Sequence, residues 1–485
     1  MAELHHDATI TPSKLELLED WMGSQRWYAA KGRRPRLRLV GRWRLDDPAG
    51  EVGVETLIVA DESGTEPVVY QVPLTYRGAP LEGAERALVG TTEHSALGHR
   101  WVYDAPHDPV YATALLELVQ GRVRAASATE SGAVDEDVVG VPQASWDRPV
   151  HAHTARVLSG EQSNTSVILD ARDAGGGPVP LIVKVFRMLS AGDNPDVVLQ
   201  GALVDAGSTR VPAVVGAVTG RWTHPTTEGD TPASGHLAFC QEFLPGVEDA
   251  WRVALRAAEA RQDFTAAARE LGEATAEVHA VLAQSLGTSP TTPEQVSAVL
   301  AEMRLRFDAA VTAVPELDEV RDPVEAVLRA AEDAPWPPLQ RIHGDYHLGQ
   351  VLRSPERGWV LLDFEGEPLR PLADRSLPDL WVRDVAGMLR SVDYVGGTLE
   401  QAGDDGARAW VAAMQEAFLD GYAARAGTDP RSLGPLLAAF ELDKAMYEVV
   451  YETRNRPGWV GIPLAAVRRL TRDDTPDPTT QGEAP

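Results

Sequence analysis

The chain has 485 residues, of which 72 are acidic and 45 basic, so its formal net charge is −27. This length suits two or three domains with separate hydrophobic cores, and it predicts a multi-domain globular enzyme. The acidic balance disfavours nucleic acid and anionic membranes as partners, because both are themselves negatively charged. The one cysteine, Cys240, excludes an internal disulfide framework and a cysteine-rich zinc site.

Neither a signal sequence nor a membrane anchor is predicted. The N-terminal segment MAELHHDATITPSKLELLEDW has no continuous apolar stretch, and no later segment reaches the roughly 18 to 20 apolar residues that cross a bilayer. We therefore expect a cytoplasmic protein without a membrane partner.

The N-terminal third is predicted to form a short helix and then an antiparallel sheet. Ser13 precedes apolar residues at helical spacing, as a helix N-cap does. Three β-rich segments follow, separated by turn sequences: LRLVGRWRL, VETLIVA and PVVYQVPLTY. A helix at YATALLELVQG and an exposed acidic connection at ASATESGAVDEDVVG complete a first domain, which we place at residues 1–145.

The remaining chain is predicted to be β-rich at first and then mostly helical. Five strand-like segments and one helix near 194–206 form a domain at 146–247. A helical domain follows at 248–470, with a polar, proline-rich tail at 471–485 predicted to be disordered. Apolar periodicity predicts helices at 250–285, 293–313, 320–332, 383–402, 406–426 and 431–455.

The segment RIHGDYHLGQVL, at 341–352, carries the residues expected of a phosphoryl-transfer loop. Asp345 precedes Gln350 by the spacing that separates the base from the metal-binding amide in the kinase pattern H-R-D-x-x-x-x-N. Asp363 follows in the strand-like segment WVLLDFEGEP and suits a second magnesium ligand. We therefore predict Asp345 as the base, ATP and Mg²⁺ as cofactors, and Gln350 and Asp363 as metal ligands. Glu365 is either a further ligand or a solvated turn acid.

This loop and strand together resemble the catalytic core of aminoglycoside phosphotransferase-like and choline kinase-like enzymes. The resemblance implies an α+β, two-lobed protein kinase-like fold with a mostly helical C-terminal lobe. Gln350 stands where those families have asparagine, and its amide oxygen still suits Mg²⁺. His343 is assigned to the catalytic loop beside Asp345, where in this fold it is expected to brace the loop.

The β-rich domain is predicted to bind ATP. The strand LIVKVFR places Lys184 where a kinase has its phosphate-binding lysine, unless this is an edge strand. Its acidic partner is not evident: the next segment offers Asp193, Asp196 and Asp205, and Gln200 is a neutral alternative. The predicted phosphate cover is Gly160, Ser163, Asn164 and Thr165, and the predicted adenine-binding hinge is Gln241, Glu242 and Phe243.

Three stretches resemble maltokinases: QRWYAAKGR, HGDYHLGQVLRSPERGWVLLDFEGEP and ELDKAMYEVVYETRNRPGWVGIPL. This resemblance implies an N-terminal cap domain and transfer of phosphate from ATP to maltose, giving maltose 1-phosphate for α-glucan or trehalose metabolism. A small sugar is then the substrate, and a glucan or trehalose pathway enzyme is a candidate partner. The oligomeric state is left open.

The last stretch is compatible with a sugar site. On a helix, residues four apart share a face, and carboxylates and aromatic rings suit sugar hydroxyls and sugar faces. The predicted sugar-binding residues are Asp443, Tyr447, Glu448, Tyr451, Glu452, Asn455 and Trp459. The alternative is an amphipathic helix with core tyrosines and solvated acids.

Three other functions stay open. A glucosamine kinase producing glucosamine 6-phosphate would share the whole phosphoryl-transfer apparatus and would need a carboxylate facing the amine. An aminoglycoside-type kinase would leave the first 145 residues unexplained. A pseudokinase scaffold would bind nucleotide without turnover.

Overall fold

The computed structural model describes residues 8–158, 163–367, 370–404 and 406–472. The chain forms two compact units, one of Met1–Gly246 with Arg370–Ser376 and one of Val247–Leu369 with Leu377–Pro485. The finer division into domains at 1–145, 146–247 and 248–470 stays a prediction. Most of the predicted tail, from residue 473 onward, lies outside the described residues.

An eight-stranded antiparallel sheet, here the first sheet, occupies the N-terminal part of the first unit. Its strands pair in the order β1-β5-β6-β4-β3-β2-β7, and β12 also pairs with β4. They are β1 Ile10–Thr11, β2 Leu37–Leu45, β3 Gly53–Asp61, β4 Val68–Arg77, β5 Leu88–His94, β6 Gly98–Asp104, β7 Ala126–Ser127 and β12 Met188–Leu189. The three strands predicted here, β2 to β4, are confirmed.

Two predicted helices accompany this sheet. Ser13 caps α1 (Lys14–Trp21), accepting from the Glu16 N–H while the Glu16 carboxylate accepts from the Ser13 N–H at 2.7 Å. Helix α2 is Pro109–Val119. The segment after it, predicted to be an exposed connection, instead contributes β7 and β8 (Val138–Pro142), because the buried Ala125 and Val138 anchor it to the unit.

A six-stranded antiparallel sheet, here the second sheet, follows in the same unit. Its strands pair in the order β8-β13-β14-β11-β10-β9. The strands after β8 are β9 Val150–Val157, β10 Asn164–Asp173, β11 Pro178–Phe186, β13 Val214–Thr226 and β14 Gly229–Glu242. Helix α3, Pro195–Asp205, confirms the helix predicted near 194–206. Cys240 is fully buried.

Helices dominate the second unit, as predicted. They are α4 Ala250–Glu259, α5 Thr265–Leu286, α6 Pro293–Ala313, α7 Arg321–Glu332, α9 Trp381–Gln401, α10 Ala407–Ala426, α11 Gly434–Asn455 and α12 Gly461–Leu470, while α8, Leu372–Arg375, belongs to the first unit. Short antiparallel pairs join β15 (Glu248–Asp249), β18 (Val351–Ser354) and β19 (Gly358–Leu361), and likewise β16 (Thr288–Ser289) and β17 (Leu339–Gln340).

Two details of the helix prediction are wrong. The helix predicted at 250–285 is two helices, since Arg261 adopts a left-handed backbone with φ 50° and Asp263 accepts from the Thr265 N–H at the next start. Helix α12 was not predicted, because Pro463 near its start looks like a helix breaker, although the first turn tolerates proline. Among the described residues, none of the helices combines the length and the apolar character needed to cross a bilayer.

Candidate active site

The predicted catalytic loop and the predicted metal-binding segment meet in the second unit. Gln350 Nε2 donates to Asp363 Oδ2 at 3.2 Å. His343 Nε2 lies 2.8 Å from the carbonyl oxygen of Leu362, the residue before Asp363. Two contacts therefore join the loop that carries Asp345 to the segment after β19, as the sequence led us to expect.

His343 serves to brace this loop. His343 is 2% exposed, and its ring packs on Phe364 with ring centroids 4.7 Å apart. Gly344 follows with φ +84°, and a Cβ there would lie 3.3 Å from the Gly366 Cα. Glycine is suited to both the left-handed conformation and the close approach. The ring of His343 is occupied by loop contacts, and a chemical role for it stays a prediction.

Asp384, near the start of α9, holds the loop backbone in place. Its carboxylate accepts from the N–H groups of His343 at 2.8 Å and Gly344 at 2.9 Å, and it lies 3.0 Å from His279 Nε2. Burial on its own would raise the pKa of Asp384, but the His279 contact and these hydrogen bonds outweigh it and keep that pKa below its ordinary value. A buried, ionised carboxylate therefore fixes the catalytic loop.

Asp345 forms an ion pair with Lys444, a residue of α11 that sequence analysis did not single out. Lys444 Nζ lies 3.1 Å from Asp345 Oδ1 and 3.2 Å from Glu367 Oε1. Burial on its own would raise the pKa of the Asp345 carboxyl, but the charge and hydrogen bond of Lys444, together with the nearby His347 and His343, outweigh it and lower that pKa. Asp345 is therefore ionised near neutral pH, as a proton acceptor must be.

We expect Lys444→Met to move the acid limb of the kcat/KM profile to higher pH by about 1 to 3 pH units. A base works only when deprotonated, and without the Lys444 charge the burial of Asp345 raises its pKa. The measurement is kcat/KM against pH, with unfolding followed at each pH. Lys444→Arg keeps the charge and should leave the acid limb near its original position. Superimposable profiles for Lys444→Met and the parent would refute this electrostatic role.

The predicted magnesium ligands fit a hard cation. Asp363 adopts a left-handed backbone with φ 62°, which is uncommon for non-glycine residues and which aspartate tolerates better than most. One carboxylate oxygen of Asp363 and one of Glu365 lie within 4.8 Å of each other. The amide nitrogen of Gln350 faces Asp363, so its oxygen is not used in that contact. Carboxylate and amide oxygens are ligands that Mg²⁺ prefers, and all three residues stay predicted ligands.

A chain of ion pairs extends from Asp345 through Glu367 to Asp443. Arg306 lies 3.9 Å from Glu367 Oε2 and 3.3 Å from Asp443 Oδ1. Arg383 lies 3.5 Å from Asp443 Oδ2. Burial is the main reason that the pKa of Asp443 is raised, although both arginines act against it.

Two atoms in this chain of ion pairs are buried without a hydrogen-bond partner among the described residues, namely Asp443 Oδ1 and Arg306 Nη1. Asp443 lines a small cavity together with Asp345, Glu367 and Lys444. A buried polar atom without a partner is costly. Asp443 Oδ1, which is ion-paired with Arg306 Nε at 3.3 Å but accepts no hydrogen bond among the described residues, is therefore suited to accept one from a polar group in this cavity.

The predicted sugar-binding residues of α11 divide into two groups. Asp443 and Tyr447 lie beside Lys444, whose Nζ is 4.9 Å from the Tyr447 ring centroid. Glu448 instead pairs with Arg390 at 2.6 Å, and Glu452 pairs with Arg456. These two acids are thus held by cations of their own, which the sequence did not reveal.

The last three predicted sugar-binding residues lie farther along the chain. Tyr451 is 42% exposed and stacks on Tyr447, with centroids 6.4 Å apart. Asn455 donates to the Tyr451 carbonyl at 2.9 Å, and the Trp459 ring centroid lies 5.0 Å from the guanidinium carbon of Arg456. None of these contacts of Tyr451, Asn455 and Trp459 involves Asp443 or Lys444.

In the first unit, Lys184 has the acidic partner that the sequence left unidentified. Its Nζ lies 2.7 Å from Asp196 Oδ2, and Gln200 donates to Asp196 Oδ1 at 2.6 Å. Gln200 therefore orients the acid and does not replace it. Lys184 is 8% exposed, and a buried lysine stays charged at low cost only when it is paired.

The residues predicted to cover the phosphates of ATP differ in how well their surroundings suit that role. Gly160 lies outside the described residues, Ser163 immediately precedes β10, and Asn164 is the first residue of that strand. Thr165 is buried, and its hydroxyl accepts from Arg187 Nε at 2.8 Å, so it is the least suited of the set to cover phosphates.

Two residues of the predicted adenine-binding hinge donate their backbone N–H groups within the first unit. The Glu242 N–H donates to the Ala213 carbonyl at 2.8 Å, and the Phe243 N–H donates to the Pro180 carbonyl at 2.9 Å. Gln241 lies inside β14 and pairs with Ile182 and Val214. Adenine binding by backbone groups around Gln241 to Phe243 stays a prediction, and the N–H groups of Glu242 and Phe243 are occupied by these hydrogen bonds.

Two family models match the chain. Residues 21–108 match the maltokinase N-terminal cap domain, and residues 154–436 match the phosphotransferase enzyme family. A curated glucosamine kinase of Streptacidiphilus jiangxiensis is 32% identical over 324 residues, covering 62% of this chain and 70% of that protein. A curated glucosamine kinase of Mycolicibacterium smegmatis is 29% identical over 345 residues, covering 67% and 81%.

Solved structures agree with the two-lobed kinase-like fold. A glucosamine kinase in complex with glucosamine, ADP and inorganic phosphate matches with a TM-score of 0.64 at 25% identity, covering 95% of this chain and 99% of that one. Another crystal form of a glucosamine kinase matches with a TM-score of 0.66. The chain therefore belongs to the phosphotransferase enzyme family, and it carries a maltokinase N-terminal cap domain ahead of its kinase region.

Proposed function

We propose that this chain is an ATP- and Mg²⁺-dependent sugar kinase that phosphorylates a hydroxyl of glucosamine. Asp345 accepts the proton of the attacking hydroxyl as the new O–P bond forms and the bond to the ADP oxygen breaks. Mg²⁺ bound at Asp363 and Gln350 would neutralise phosphate charge. Lys184, oriented by Asp196, is assigned to the phosphates of the nucleotide.

The observation that carries this proposal is the charged surrounding of Asp345. Among the described residues, seven side chains connect to it through ion pairs, and in this set, Asp345 included, acids outnumber cations. The acids are Asp345, Glu367, Asp443, Asp379 and Glu302, and the cations are Lys444, Arg306 and Arg383. Such a balance favours a cationic acceptor over a neutral one, because a fixed negative excess attracts positive charge. The amine of glucosamine supplies that charge.

The comparisons support the same acceptor. Both curated relatives are glucosamine kinases, and a glucosamine kinase of similar fold was solved with glucosamine and ADP. The Lys184–Asp196 pair also weakens the pseudokinase alternative, which depended on a missing acidic partner for the lysine. Cytoplasmic location and a glucan or trehalose pathway partner stay predictions.

Maltose is the second candidate, and one observation favours it. Residues 21–108 match the maltokinase cap model, which agrees with the resemblance of the QRWYAAKGR stretch. The ion-paired residues named around Asp345 all lie after residue 108, however, and the proposal assigns recognition of the acceptor to them. We therefore rank maltose below glucosamine, reversing the order that the sequence resemblance implied.

We expect glucosamine to be phosphorylated with a kcat/KM at least about tenfold above that of maltose. N-acetylglucosamine is the matched control, since it keeps the hydroxyls and loses the positive charge, and it should react poorly. The measurement is an ADP-coupled assay with glucosamine, N-acetylglucosamine, glucose, maltose and kanamycin, followed by ³¹P NMR of the product. Preferential turnover of maltose would establish the second candidate, and equal use of N-acetylglucosamine would refute recognition of the amine.

A further inference from the structure

Arg187 is a fully buried cation that joins three segments of the first unit. It is 0% exposed, and its Nη2 lies 2.7 Å from both carboxylate oxygens of Asp104 in β6. Its Nε donates to the Thr165 hydroxyl in β10 at 2.8 Å. Its guanidinium carbon lies 4.9 Å from the ring centroid of Trp27, in the QRWYAAKGR stretch that sequence analysis left without a site role. One side chain thus ties the first sheet to the second.

The main chain makes the same connection. After β11 ends at Phe186, the chain leaves the second sheet, and β12 pairs with β4 of the first sheet. The Arg187 carbonyl accepts from the Gln71 N–H at 2.8 Å. The Gln71 side chain donates to the carbonyls of Phe186 at 3.1 Å and Leu237 at 2.8 Å. Strand β11, which carries Lys184, is therefore anchored at its end to the first sheet.

Arg187 does not share a face with Lys184. Thr165 pairs with Val185 and Ser166 pairs with Lys184 in the β10–β11 register. Because side chains alternate between the faces of a sheet, Thr165 lies on the face opposite Lys184, and Arg187 reaches Thr165. Any effect of Arg187 on the nucleotide must therefore pass through the positions of β10 and β11.

The buried contact of Arg187 with Asp104 is better suited to positioning neighbouring groups than to stabilising the fold alone. Burying an ion pair costs desolvation that an apolar pair of similar size would avoid. In addition, Arg187 Nη1 is buried without a hydrogen-bond partner among the described residues. The planar guanidinium group has donors in fixed directions. It therefore holds Asp104, Thr165 and the Trp27 ring in one relative arrangement.

We propose that Arg187 is a positioning residue through which the cap domain sets the β10–β11 hairpin for ATP binding. The cap is then part of the ATP-binding apparatus, and it acts on nucleotide affinity without touching the nucleotide. The proposal rests on the assignment of Lys184 to ATP phosphates, and it is independent of which sugar is the acceptor.

The test compares ATP affinity, measured by calorimetry without any acceptor, in the full-length parent, Arg187→Met and Arg187→Lys. We expect Arg187→Met to weaken ATP binding by about tenfold or more, because small misplacements of binding groups are costly. Arg187→Lys keeps the charge but cannot bridge both partners, so its affinity should be intermediate. In steady state, KM for ATP should rise while KM for the sugar stays within about twofold.

Arg77→Met is the matched control. Arg77 is also an arginine of the first sheet bound to a buried acid, with two 2.7 Å bonds to Asp108, but it does not contact β10 or β11 by these bonds. The Arg77→Met substitution should lower the unfolding temperature and leave the affinity for ATP unchanged. If Arg187→Met fails to fold, Asp104→Asn, which keeps the shape, is the second variant and should weaken ATP binding. Unchanged affinity in the Arg187 and Asp104 variants, or an equal loss in Arg77→Met, would overturn the proposal. Intact ATP binding with no sugar turnover in the parent would count against the proposed function alone.

Discussion

Asp345→Asn is expected to lower kcat by about 100- to 10,000-fold with glucosamine as acceptor. Asparagine keeps the size of the side chain, but it cannot take the hydroxyl proton. Lys444 retains its contact with Glu367, so the variant should fold and should bind ATP with nearly the parent affinity. A loss confined to kcat would indicate that Asp345 acts during phosphoryl transfer and not in substrate binding.

The matched control for this variant is Glu325→Gln. Glu325 lies on α7 and pairs with Arg304 at 3.1 Å, about one third exposed. Its neutralisation removes one negative charge from the same unit without touching the residues connected to Asp345, so kcat should not change. If Asp345→Asn kept its activity, Asp345 would not be the base. If the control lost activity to the same extent, the effect would be one of overall charge or folding.

Asp363→Asn is expected to lower kcat by about 100-fold or more and to raise the Mg²⁺ concentration needed for half-maximal activity. Asparagine is among the residues that best tolerate a left-handed backbone, so the φ of 62° can be kept. The variant thus removes a charged metal ligand with little change in the loop. The measurement is activity as a function of free Mg²⁺ at fixed ATP.

Glu365→Gln gives a useful comparison for the metal experiment. If Glu365 is a solvated turn acid, the activity of Glu365→Gln should depend on Mg²⁺ as that of the parent does. If Glu365 is a metal ligand, the Mg²⁺ concentration needed by Glu365→Gln should rise, as in Asp363→Asn. An unchanged Mg²⁺ requirement in Asp363→Asn would remove this residue from the metal site. Recovery of both variants by excess Mg²⁺ would support a shared ion.

The local part of the site could be predicted from the sequence. Asp345, Gln350 and Asp363 belong to one short stretch, and the loop and strand on either side of a single turn have few ways to meet. The contact between Gln350 and Asp363 is accordingly close to what the spacing predicts. The helices of the second unit were also predictable, because their apolar residues recur at helical spacing.

The long-range part could not be predicted. Lys444 lies 99 positions after Asp345, and nothing in the spacing of α11 shows that its side chain reaches the loop. The same limit hid the pairing of Glu448 with Arg390, and a sugar-binding role for Glu448 stays a prediction. In the stretch ELDKAMYEVV, Lys444 follows Leu442 and Asp443 and precedes Ala445, Met446 and Tyr447. This mostly apolar setting is a signal that could have pointed to Lys444, since a buried lysine needs a charged partner.

The partner of Lys184 lies between these two cases. Asp196 was one of three acids within reach along the chain, and geometry selects it because α3 begins at Pro195 and turns Asp196 toward β11. Gln200 then lies one helical turn later and holds the second carboxylate oxygen. Sequence spacing could limit the partner of Lys184 to three acids, but only the packing of α3 on the second sheet identifies Asp196 among them.

The rate of a single turnover tests the central claim most directly. Enzyme in excess over ATP is mixed with saturating glucosamine and quenched, so that phosphoryl transfer is observed without product release. The parent is expected to transfer the phosphoryl group in one fast phase, and Asp345→Asn is expected to bind the same MgATP yet transfer it at least about 100-fold more slowly. A single-turnover rate in Asp345→Asn equal to that of the parent would contradict the account.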